Sequence, residues 1–132
     1  MGQRVLLIED EPNIIEAISY ILSKDGWTVH THADGETAMD KVLQAVPDLI
    51  ILDVMMPLQS GIRLYRALKT DAAFANIPVI ILSGISQRSF NKSQEALTAF
   101  EGSDIPAPEA YIEKPADFET LAAQIKNCIH RK

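Results

Sequence analysis

Leu49-Ile50-Ile51-Leu52 ends directly on Asp53, and this stretch decides the reading of the fold. Four aliphatic residues with no polar alternation describe a strand covered on both faces, as in a parallel sheet. Val5-Leu6-Leu7-Ile8 and Val79-Ile80-Ile81-Leu82 repeat the pattern. Trp27–Thr31 and Ala110–Glu113 are weaker strand candidates. Between these runs the apolar period turns helical. Ile14, Ile15, Ile18, Ile21 and Leu22 form one stripe from Pro12 to Lys24, with Pro12 suited to a first turn and Gly26 to a stop. Ala38, Val42 and Leu43 mark a second helix ending near Pro47. Ile62, Tyr65 and Leu68 mark a third, opening near Ser60-Gly61. Phe90, Leu97 and Phe100 mark a fourth. Phe118, Leu121, Ala122, Ile125 and Ile129 mark a fifth, with Asp117 as its N-cap. Alternating strands and helices with buried parallel strands predict an α/β, doubly wound, five-stranded sheet with five helices.

Composition narrows the function. The chain has 132 residues, enough for one domain with a proper core, and no repeat or composition break divides residues 1–132. Twelve Lys and Arg against eighteen Asp and Glu give a formal charge of −6, which argues against direct nucleic-acid binding. The single cysteine, Cys128, fits a reducing compartment and a small core residue. No apolar run approaches the roughly 20 residues of a membrane span, and no secretory leader is evident. The expectation is a soluble cytoplasmic domain. His30 and His32 lack metal-ligand companions and read as surface residues.

Open parallel sheets bind ligands beyond the carboxyl ends of their strands. There this sequence places Glu9-Asp10-Glu11 after the first strand and Asp53 after the third. Ser83-Gly84 closes the fourth, and Lys114-Pro115 follows the fifth. A lone acid at a strand end is usually a cap or a loop solubiliser. Several acids at one rim raise one another's pKa unless a cation neutralises them, and a hard divalent ion such as Mg²⁺ suits oxygen ligands. An acceptor, a metal, the Lys114 ammonium and the Ser83 hydroxyl are the parts that phosphoryl transfer requires. Asp53, central in the sheet, is the expected nucleophile and site of an aspartyl phosphate.

The stretches Val5–Pro12, Ile51–Pro57, Leu82–Gly84 and Tyr111–Pro115 together resemble the receiver domains of two-component response regulators, over essentially the whole chain. The resemblance implies a flavodoxin-like strand order 2-1-3-4-5. It implies Asp53 as phosphoacceptor, and Glu9 and Asp10 as the acidic pair that holds Mg²⁺. The Met55 backbone carbonyl would be a further ligand beside Asp53. Ser83 matches the switch hydroxyl, Lys114 its partner lysine, and Tyr111 the aromatic whose ring moves inward as the hydroxyl shifts. The implied activity is a phosphorylation-dependent signalling switch rather than an enzyme, with at most self-catalysed phosphotransfer and autodephosphorylation. Its donor would be a sensor histidine kinase or histidine phosphotransfer protein. Its output to a downstream protein or domain would pass through the expected fourth helix, fifth strand and fifth helix. The alternative is a receiver-like module that binds proteins without phosphorylation. A haloacid-dehalogenase-like phosphatase would need an acid where Met55 stands, and no glycine-rich phosphate loop follows the first strand.

Two departures from the family pattern stand out. The segment from Ser83 to Lys114 is longer than usual, with Glu101–Glu109 replacing the familiar Gly-Ala-Asp run. It reads either as a tolerated insertion or as a docking surface of its own. The residues two beyond Asp53 and two beyond Ser83 are Met55 and Ile85. Neither side chain can hydrogen-bond an attacking water, which predicts a long-lived phosphorylated state.

Overall fold

In a computed structural model, residues 3–32, 46–54, 61–102 and 104–129 are described. Strands β1 (Arg4–Ile8), β2 (Thr28–His32), β3 (Leu49–Leu52), β4 (Val79–Ser83) and β5 (Ala110–Glu113) form one parallel sheet in the order β2-β1-β3-β4-β5. The expected order therefore holds. β2 lies one residue later than the expected Trp27–Thr31.

Four helices lie among the described residues: α1 (Pro12–Lys24), α2 (Gly61–Thr70), α3 (Gln87–Glu101) and α4 (Phe118–Ile129). They are the expected first, third, fourth and fifth helices. The expected second helix, at Ala38–Leu43, lies outside the described residues, as do Met55, Met56 and Ser60.

The aliphatic runs sort by parity onto the two sheet faces. Leu6, Ile8, Ile50, Leu52 and Ile81 join Leu64, Leu68 and Phe90 of α2 and α3 in one core cluster. Val5, Leu7, Leu49, Ile51 and Ile80 join Ile18, Leu22, Leu121 and Ile125 of α1 and α4 in the other. Burial on both faces explains why β1, β3 and β4 show no polar alternation, whereas edge strand β2 reads Thr-Val-His-Thr-His.

The helix ends follow the local chemistry. Pro12 occupies the first turn of α1. Gly26 carries φ +84° just beyond that helix, and Gly102 carries φ +83° at the end of α3, a left-handed conformation that costs glycine little. Asp117 Oδ1 accepts from the Thr120 N–H at 2.7 Å, so the expected N-cap forms. Two apolar residues expected on buried stripes are exposed instead. Phe100 is 86% accessible at the last turn of α3, and Phe118 is 48% accessible, its ring 6.1 Å from that of Tyr20. Phe90 and Leu121 already fill the two cores, leaving these terminal aromatics outside. His30 is exposed as expected. His32 is half-buried, and its Nε2 has no hydrogen-bond partner among the described residues.

Candidate functional site

Three backbone hydrogen bonds carry the sheet ladder one residue past its strands. Glu9 N–H donates to His32 O (2.8 Å), Asp53 N–H to Ile8 O (2.9 Å) and Lys114 N–H to Ser83 O (2.7 Å). Glu9, Asp53 and Lys114, which follow three different strands, are thereby fixed at one rim. Glu9, Asp10 and Asp53 each offer a carboxylate oxygen within 4.8 Å of the others. Lys114 Nζ is 3.2 Å from Asp53 Oδ2 and 3.1 Å from Glu11 Oε2. It also stands 3.1 Å from both Glu9 oxygens, with a hydrogen bond only to Oε2.

Glu11 is the member that the sequence placed at the rim but to which it assigned no role. It occupies the N-cap position of α1, yet its side chain makes no capping bond and reaches Lys114 instead. Pro12 at the first helical position was the available signal. It fixes the residue before it as the cap, and glutamate is outside the favoured capping set.

Glu9 is the buried member of the cluster. Its Oε2 accepts from the Asp10 N–H (3.2 Å), the Glu11 N–H (3.0 Å) and Lys114, while buried Oε1 has no hydrogen-bond partner among the described residues. Burial is the largest influence on this carboxyl and holds its pKa above the ordinary range; the Glu11 amide and Lys114 pull downward, and the Asp53 charge adds to the rise. At Lys114 burial works against the charge, but the hydrogen bonds and charges of Glu9, Asp53 and Glu11 outweigh it, so its pKa lies above that of an ordinary lysine. Burial thus wins at the acid and attraction wins at the amine, which lies nearer to solvent.

Among the described residues, the Lys114 ammonium pairs with three carboxylates, Asp10 adds a fourth acid beside them, and buried Glu9 Oε1 has no hydrogen bond beyond its ion-pair contact with Lys114. That donor set, all hard oxygen, fits a divalent cation of the Mg²⁺ type. The Met55 carbonyl, expected as a further ligand, lies outside the described residues.

Ser83 is fully buried at the end of β4, and its hydroxyl accepts from the Ile85 N–H at 3.2 Å. It borders Lys114 through the backbone, but its hydroxyl is engaged by its own loop rather than by the acids. Tyr111, the aromatic expected to move inward as the hydroxyl shifts, is partly buried on β5 and packs against the core cluster of α2 and α3. Its ring lies 5.4 Å from that of Phe90, and its hydroxyl donates to Ile85 O at 2.7 Å. The half-buried phenol gains both an aromatic neighbour and an acceptor there. Burial, with the charges of Glu113 and Asp53, pushes its pKa up to about 12.

Fold and rim define a doubly wound α/β domain with an acidic, lysine-bridged rim, and comparison with known proteins gives its family. Residues 5–126 match the response regulator receiver domain, and the chain belongs to that family. It is 30% identical over 128 residues to the DNA-binding dual master transcriptional regulator RpaA of Synechocystis sp., covering 97% of this chain and 49% of that one. It is 31% identical over 131 residues to the phosphate regulon transcriptional regulatory protein PhoB of Klebsiella pneumoniae, covering 99% and 53%. The chain thus spans about half the length of these curated relatives. Among solved structures, the chemotaxis response regulator CheY4 of Vibrio cholerae superposes with a TM-score of 0.78 at 25% identity, covering 97% of this chain and 99% of that one. No helix among the described residues is long and apolar enough to cross a membrane.

Proposed function

We propose that this receiver domain is a phosphorylation-dependent switch that takes a phosphoryl group from a phosphohistidine donor onto Asp53. The observation that carries the reading is Lys114 Nζ bridging Glu9, Glu11 and Asp53 beside a three-acid cluster. In the transfer, the Asp53 carboxylate attacks phosphorus as the N–P bond of the donor breaks. The bond's electron pair returns to the imidazole, which takes up a proton. Glu9, Asp10 and Asp53 would hold Mg²⁺, with the Met55 carbonyl as a further ligand. Bound there, Mg²⁺ supplies charge neutralisation at the phosphoryl oxygens.

Lys114 offers a fixed cation to those oxygens, and its raised pKa keeps it protonated at neutral pH. Phosphorylation brings Asp53 from one negative charge to nearly two and adds acceptor oxygens. The Ser83 hydroxyl, now tied to the Ile85 N–H, can donate to an added oxygen by turning toward it. Any shift of that loop moves Ile85 O, the acceptor of the Tyr111 hydroxyl. The phosphoryl group thereby biases the inward ring position and the surface of α3, β5 and α4 through its different contacts in the two states. The donor is a sensor histidine kinase or phosphotransfer protein, and the receiver of the signal is a downstream protein or output domain.

The test is labelling of the chain with acetyl phosphate. Label that requires Mg²⁺ and disappears in Asp53→Asn supports the reading. Absence of label under these conditions overturns it in favour of a module that binds without phosphorylation.

A further inference from the structure

The long segment before β5 is tied to the switch by a continuous set of contacts. Ser83 Oγ holds the Ile85 N–H, and Ile85 O holds the Tyr111 hydroxyl. The Tyr111 ring lies 5.4 Å from Phe90 of α3, and Phe90 lies 5.6 Å edge-on to Tyr65 of α2. The Tyr65 hydroxyl in turn donates to Pro106 O at 2.7 Å. Tyr65 and Phe90 are both essentially inaccessible to solvent. A buried phenol needs an acceptor, and Pro106 provides it.

The far end of this chain of contacts is stiff. In Ile105-Pro106-Ala107-Pro108 two residues have a fixed φ, and the two that precede them are held extended. Ile105 also rests against the core cluster that contains Tyr65 and Phe90. A rod of this kind, displaced at one point, moves as a whole. The two helices under it are cross-linked as well. Arg66 of α2, nearly fully buried, donates to Gln94 Oε1 (3.1 Å) and Thr98 Oγ1 (3.2 Å), and Gln94 Nε2 donates to Ile62 O (3.3 Å). A shift of Phe90 is therefore not absorbed by sliding between α2 and α3.

We propose that Tyr65 couples the Tyr111 ring to the segment 104–109, so that phosphorylation remodels a face made by α2 and this segment. The inference rests on the switch reading above and extends the responsive surface beyond α3, β5 and α4. Because packed aromatic groups have discrete arrangements, a ring change at Tyr111 is passed on rather than dissipated.

The test follows backbone amide NMR shifts of the full chain on adding Mg²⁺ and beryllium fluoride, a phosphoryl mimic. In the wild type the amides of Ile85 and Tyr111 are expected to shift, and those of Ile105 and Ala107 with them. In Tyr65→Phe the first pair should still respond, while the response of the second falls at least about threefold. Phe90→Leu, which cuts the ring contacts and leaves the Tyr65 hydroxyl in place, should have the same effect. If Ile85 and Tyr111 respond but Ile105 and Ala107 stay still in the wild type, or respond equally in both variants, the coupling is overturned and the switch reading stands. If Ile85 and Tyr111 also fail to respond in the wild type, the switch reading fails and takes the coupling with it.

Discussion

Lys114 Nζ lies 3.2 Å from Asp53 Oδ2 although the two residues are separated by 61 positions in the chain. They meet because β5 and β3 end at the same rim, each carried one residue further by a ladder bond. The same ammonium pairs with Glu9 and Glu11, so it supplies positive charge to three acids of the cluster.

Removing that counter-charge should therefore uncover the repulsion. Lys114→Met leaves buried Glu9, among the described residues, with only the Asp10 and Glu11 amides as donors. In EDTA at neutral pH the variant is expected to lose about 1–3 kcal/mol of stability, as for other buried groups that lose a charged partner. Millimolar Mg²⁺ should return more stability to the variant than to the wild type. Urea melts with and without Mg²⁺ check this, and equal Mg²⁺ effects on the two chains would contradict it. Labelling at Asp53 should slow at least about tenfold in the variant, since a fixed cation aimed at the transferred group is lost.

The phosphorylated state should be long-lived. Ile85 is half-buried, its amide and carbonyl are committed to Ser83 and Tyr111, and its side chain offers no hydrogen bond to water. Loss of label from the purified, phosphorylated chain in Mg²⁺ is expected on the order of minutes or longer, because general-base help from this position is absent. Decay within seconds would count against it. Ile85→Asn, which adds a polar group there, should speed the decay.

The sheet was legible because buried parallel strands leave an unbroken aliphatic signature, and the rim was legible because each such strand ends on a polar residue. Asp53 and Glu9 follow that rule, whereas Lys114 follows the weaker strand candidate Ala110–Glu113. The role of Glu11 escaped the rule because it depends on where α1 starts and on the reach of a lysine 103 residues away. Arg66 escaped for a different reason. On a helical period it falls beside Tyr65 on the apolar face of α2, where a cation looks misplaced until Gln94, Thr98 and Glu101 of α3 appear around it. The contacts of Tyr111 with Phe90 and Ile85 are side-chain details on which strand patterning gives no information.

The Arg66 cluster makes its own prediction. Arg66→Met fits the aliphatic volume but leaves Gln94 Oε1 without its donor in a buried place. A loss of about 1–3 kcal/mol is expected, most of it the cost of the stranded amide. Adding Gln94→Leu should recover a good part, since replacing both partners removes the unpaired group. Thermal or urea unfolding of the two single variants and the double variant reads the coupling. Simple additivity would mean that the two side chains stabilise the helix pair independently.

Asp117 sets an acid-side dependence. Its carboxylate caps α4 through the Thr120 N–H, and that bond holds its pKa below the ordinary aspartate value. A depressed folded-state pKa means the stabilisation is fully present above the ordinary value of 3.8 and is lost as pH falls through the depressed one. Asp117→Asn keeps an acceptor oxygen at the cap but does not titrate, so its stability relative to the wild type should improve on acidification below about pH 4. Asp117→Ala removes the acceptor at every pH and should be less stable than the wild type at neutral pH. Its deficit should shrink in acid, where the wild-type cap is itself protonated. Melting temperatures of the three chains between pH 3 and pH 7 test the sign directly. A constant gap between wild type and Asp117→Asn across that range would show that the cap does not titrate with folding.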